Sequence, residues 1–71
     1  MATLKLCIEG MHAADDENRI EAALRRERGV LGVVANRQEA CAEIEIEDDE
    51  VAVEHLVALV AALGYPTELG G

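Results

Sequence analysis

The chain has 71 residues, enough for one small domain whose core comes from Leu, Ile, Val and Ala, since it holds no Trp, no Phe and a single Tyr. Its formal net charge of −9 excludes nucleic acid as a partner, because phosphate binding needs Lys and Arg to release counterions, and it equally disfavours an anionic membrane surface. A hydrophobic fraction of 51% is too high for a disordered chain, and no apolar run reaches the roughly 20 residues that span a bilayer.

Thr3 to Glu9 alternates, with Leu4, Leu6 and Ile8 on one face and Lys5, Cys7 and Glu9 on the other. That is a half-buried strand, ended by Gly10. From Asp15 or Asp16 to Arg28 the period becomes helical, with Ile20, Ala23 and Leu24 on one face. Asp15, Asp16 and Glu17 at the start and Arg25, Arg26 and Arg28 at the end suit the helix dipole, and Gly29 is placed to cap it.

Val30 to Asn36 reads as a second strand and Arg37 to Ala40 as a polar connection. Cys41 to Glu47 is a third strand, with Ala42, Ile44 and Ile46 facing in and Cys41, Glu43, Glu45 and Glu47 facing out. Asp48, Asp49 and Glu50 open a second helix, in which Val53, Leu56, Val57 and Val60 form one buried stripe. Gly64 ends it. Tyr65 to Leu69 is a weak last strand, confined to a sheet edge by Pro66.

The order βαββαβ consists of two βαβ halves. Right-handed crossovers place both helices on one face of a four-stranded antiparallel sheet, an α+β ferredoxin-like fold with its other face open.

The sequence resembles the heavy-metal-associated domain, found in metallochaperones and at the N-termini of metal-transporting P-type ATPases. The resemblance runs over nearly all of residues 1–71, as a single domain. It rests on "LKLCIEGM", "RIEAAL", "GVLGVVAN", "ACAEIEIED" and "LVALVAALGYPTEL" in that order. The family motif is Gly-Met-X-Cys-X-X-Cys, whose thiolates hold the metal. Gly10 and Met11 match it, His12 falls on the variable position, Ala13 on the first Cys and Asp16 on the second. Some domains of divalent-metal ATPases are similar to Asp16-Glu17 here, with acidic residues replacing the second Cys, and carry Asp where this chain has His12. Ala13 departs from both patterns.

Without sulfur, His12, Asp16, Glu17 and Asp15 make a nitrogen-and-oxygen donor set. It suits a divalent ion, Zn²⁺ above Ni²⁺, Co²⁺ or Mn²⁺, and is poor for Cu⁺. The competing reading gives the carboxylates to the helix terminus alone, as in the second helix, and then no ion is bound. The family implies that Met11 packs beneath the loop and that Tyr65 stands near it.

Cys7 and Cys41 fall on adjacent central strands of the open face with Glu9, Glu43 and Glu45. They serve as small sheet residues, a zinc site or a cross-link, according to the pairing. His55 lies opposite the buried stripe and is expected in solvent.

Nothing points to an enzyme: there is no Ser, and no Cys–His arrangement suggests a nucleophile and its base. The expectation is a cytoplasmic, monomeric module for metal transport or homeostasis with no direct membrane insertion. Its partner is a metal-transporting P-type ATPase, in cis or in trans. The alternative is a degenerate domain that binds no metal and serves as a regulatory or interaction element through its acidic surface.

Overall fold

A computed structural model describes residues 2–47 and 53–70. The elements follow as β1 (Ala2–Ile8), α1 (Ala14–Arg25), β2 (Val30–Asn36), β3 (Cys41–Ile46), α2 (Val53–Ala62) and β4 (Thr67–Leu69). The four strands pair antiparallel in the order β2-β3-β1-β4, which is the ferredoxin-like arrangement expected from the periodicity. β2 and β4 are the edges, so Pro66, just ahead of β4, removes no central hydrogen bond.

Register follows the alternation of side chains. Leu6 lies opposite Ala42 and Leu4 opposite Ile44 on one side of β3, while Ala35 and Val33 meet the same two residues from the other. A slip of one residue would turn every one of them to solvent. Their inner face packs on Ile20 and Leu24 of α1 and on Leu56 and Val60 of α2, all four fully buried. Burying each such side chain contributes about 1.5–3 kcal/mol, so this layer supplies the main stabilising term.

The first helix and the last strand depart from expectation at their ends. α1 stops at Arg25, with Arg26 as its cap, rather than running to Arg28. Leu24 is the last residue that faces the core, and beyond it the chain turns through bonds from Glu27 to Leu24 and from Val30 to Glu27. Gly29, with φ of +90°, serves the entry to β2 instead of capping the helix. Leu31 is an extra residue between Val30 and Gly32 in the β2–β3 ladder, a bulge for which alternation gives no warning. Tyr65 precedes β4 and is buried, because its ring packs inward against the core rather than extending the edge strand. The Asp48–Glu50 opening of the second helix lies outside the described residues.

Candidate functional site

The loop between β1 and α1 turns on Gly10, whose φ of +94° lies where side-chain-bearing residues are strained. Met11 then drops into the core at 7% exposure, which withdraws its thioether from the surface. His12 and Ala13 remain exposed at the mouth of α1.

Ala13 is the N-cap residue and has no side-chain oxygen with which to cap. Asp16, in the first turn, does that work from the other direction. Its Oδ2 accepts the His12 N–H at 2.9 Å and the Ala13 N–H at 3.1 Å. Its Oδ1 accepts the Tyr65 hydroxyl at 2.5 Å, and Arg19 Nη1 donates to that same hydroxyl oxygen at 3.4 Å. These donors stabilise the ionised form. The Tyr65 hydroxyl contributes most, ahead of the His12 N–H, and together with the Ala13 N–H and the Arg19 charge they overcome partial desolvation to hold the Asp16 carboxyl at about 2. The bond to Asp16, with burial, pushes the Tyr65 phenol above its usual range.

Glu17 points elsewhere. Its Oε2 accepts the Arg37 N–H at 2.7 Å and its Oε1 pairs with Arg37 Nη1 at 2.9 Å. One turn on, Glu21 Oε2 accepts the Ala35 N–H at 2.9 Å. Carboxylates four apart on a helix and backbone donors two apart on a strand share a spacing of about 6–7 Å. Glu21 therefore covers one outer N–H of the β2 edge strand, at Ala35, and Glu17 covers the N–H of Arg37 just past its end, a boundary that folded proteins must blunt.

Of the four sequence-predicted ligands, the fold thus sets His12 and Asp16 side by side at one loop, leaves Asp15 exposed beside them, and turns Glu17 to the sheet edge. An ionised carboxylate offers about four acceptor positions, and three on Asp16 are occupied by donors. Among the described residues, no three His, Cys, Asp or Glu side chains converge where an ion would sit. His12, the free position of Asp16 and Asp15 are the remaining donors, fewer than the four a tetrahedral Zn²⁺ site takes up.

Sequence reasoning missed Arg19 and Arg37. Periodicity places Arg19 on the solvent side of α1 and says nothing of a tyrosine 46 residues away. The signal that was available is the lone aromatic, Tyr65, following a glycine. His55 is exposed, as expected, but contacts Glu27 at 3.1 Å rather than standing alone.

Solved structures share this architecture. Over 97% of this chain and 86% of the other, it is similar to the N-terminal domain of a potential copper-translocating P-type ATPase from Bacillus subtilis in the Cu(I)-loaded state, with 33% identity and a TM-score of 0.88. A copper-binding domain from HMA7, a P-type ATPase, matches 100% of this chain and 96% of its own, at 22% identity and TM-score 0.92. The CopZ metallochaperone matches 94% of this chain and 100% of its own, at 24% identity and TM-score 0.89. No family model matches the sequence, and neither does any curated protein.

Proposed function

The chain belongs to the heavy-metal-associated domain family, and from that premise we propose that it is a non-catalytic module of metal transport or homeostasis whose loop is closed by protein contacts rather than by an ion. In this reading residues 1–71 form one such domain, which works in the cytoplasm as a monomer. It acts as a regulatory or interaction element on a metal-transporting P-type ATPase, in cis or in trans. Its acidic surface would meet a basic patch there, with steering that salt weakens.

The observation that carries this reading is the state of Asp16. At the position of the family's second thiolate stands a carboxylate already committed to two backbone N–H groups and a tyrosine hydroxyl. These bonds hold the loop in place without an ion. Cu⁺ is further disfavoured because the loop offers no thiolate and Met11 is buried.

A second reading is kept alive by His12, which is exposed and bonded through its own N–H to Asp16. There a divalent ion such as Zn²⁺ is held by His12, Asp16 and Asp15, with Glu17 joining only by releasing Arg37. The two readings separate in a titration of the isotope-labelled protein with Zn²⁺, followed by the amide signals of residues 10–19. The first predicts no saturable shift in that segment. Saturable shifts that vanish in His12→Ala would overturn it in favour of the second.

A further inference from the structure

A second place in the molecule carries sulfur. Cys7 of β1 lies directly opposite Cys41 of β3. The Ile8 N–H donates to the Ala40 carbonyl at 2.8 Å, so the next pair along, Cys7 with Cys41, is a non-hydrogen-bonded pair. Such pairs bring the Cα atoms to about 4.5 Å, closer than the alternate type. Leu6 and Ile8 face the core, so Cys7 points to the opposite, helix-free side, and Cys41 as its direct partner points the same way. The two differ in access: Cys7 is exposed, whereas Cys41 is 6% exposed.

Side chains that rise together from paired positions keep roughly their Cβ separation, about 4.5–5.5 Å. A disulfide asks for Cβ atoms about 3.8 Å apart on average, within reach of a pair of this closer kind, but both thiols are free here and so available as ligands. A metal bridged linearly between two thiolates, at about 2.3 Å on each side, spans about 4.6 Å, which is the spacing offered. Around the pair, Glu68 lies opposite Cys7 across the β1–β4 ladder, and Glu9 and Glu39 line the adjoining cleft, so the approach is acidic and attracts cations. Lys5, two residues back on the same face, offsets the single negative charge of a monovalent ion held by two thiolates. Among the described residues no third His, Cys, Asp or Glu joins them in ligand geometry, so these residues supply two ligands. That number suits soft ions and not Zn²⁺, Ca²⁺ or Mg²⁺.

We propose that Cys7 and Cys41 form a two-coordinate thiolate site for a soft monovalent ion on the open face of the sheet, separate from the β1–α1 loop. Each thiol releases its proton to solvent as the ion binds, with no change of oxidation state. The buried Cys41 is the shielded ligand and the exposed Cys7 the one through which the ion enters and leaves.

The test is titration of the reduced protein with Ag⁺ in the presence of a competing monothiol, followed by native mass spectrometry and thiolate-to-metal absorption. One Ag⁺ per monomer is expected, retained in His12→Ala and in Met11→Leu. Cys7→Ser should weaken binding by more than the roughly 10–100-fold that losing an outer-shell partner costs. Cys41→Ser should do the same. If Cys41→Ser fails to fold, Cys7→Ser, at an exposed position, decides alone, with circular dichroism confirming its fold. Undiminished Ag⁺ binding in Cys7→Ser, two Ag⁺ per chain, one Ag⁺ shared between two chains, or loss in His12→Ala would each overturn the site. The two readings fail separately: undiminished Ag⁺ binding in Cys7→Ser refutes this site alone, whereas a Zn²⁺ shift at residues 10–19 that vanishes in His12→Ala refutes the loop reading alone.

Discussion

Replacing Tyr65 with Phe removes one hydroxyl and keeps the ring that packs in the core. The hydroxyl is the largest of the influences holding the Asp16 carboxyl at about 2 rather than its ordinary 3.8. Two backbone donors, from His12 and Ala13, survive the change. The carboxyl in Tyr65→Phe should therefore rise above 2 but stay below 3.8, a bounded outcome that carboxyl-carbon NMR titration measures directly. The consequence for stability has a definite sign. A carboxyl depressed in the folded state stabilises it at pH above its unfolded value, and that contribution is lost as pH falls through the folded one. Wild type should thus exceed Tyr65→Phe in stability above pH 3.8, with the gap closing as pH falls to about 2. Denaturant midpoints over that range check it. An unmoved Asp16 titration would show that the hydroxyl does not reach the carboxylate in solution. A value at or above 3.8 would show that the backbone donors do not hold it either. Either result would remove the basis for a loop closed by its own side chains.

Placing Cys at both family positions, Ala13→Cys with Asp16→Cys, in a Cys7→Ser background should give Cu⁺ binding at the mouth of α1 that Cys7→Ser alone lacks, because the helix terminus favours thiolates; competition with a chromophoric Cu⁺ chelator measures the difference, and a folded variant that shows none would mean that the loop no longer has the family geometry. Leu24→Ala, at a fully buried position, should cost about 3 kcal/mol, a large share of what a domain this small holds, and lower the urea midpoint at unchanged slope. Glu17→Ala should cost about 1–2 kcal/mol, because it strips the Arg37 N–H of its acceptor, whereas Arg37→Ala keeps that backbone bond and should cost under about 1 kcal/mol for a partly exposed pair; the reverse order in denaturant titrations would refute the edge-covering role.

The fold was readable because each signal needed only local information. Alternation at Leu4, Leu6 and Ile8 and at Ala42, Ile44 and Ile46 determines which faces are buried, and burial determines the register. The stops were less readable. Arg26 and Arg28 continue the charge pattern of α1, so only the end of core contact after Leu24 shows where the helix finishes. The extra residue at Leu31 changes the ladder without changing any local preference.

At the loop the difficulty is chemical. A carboxylate is a metal ligand, a helix cap and an acceptor for an unpaired strand edge, and residue type alone does not separate these roles. Asp15, Asp16 and Glu17 sit consecutively, yet α1 rotates each by about 100° from the last, so a sequence cluster is dispersed in space. Asp16 turns to the loop and Tyr65, Glu17 to Arg37, and Asp15 to solvent. Strand pairing has the opposite effect. Cys7 and Cys41, 34 positions apart, become direct neighbours because β1 and β3 run antiparallel at the centre of the sheet. The sulfur missing from the loop is thus found where pairing brings two strands together, with one cysteine six residues before the family's first thiolate position at Ala13 and the other brought to it from β3.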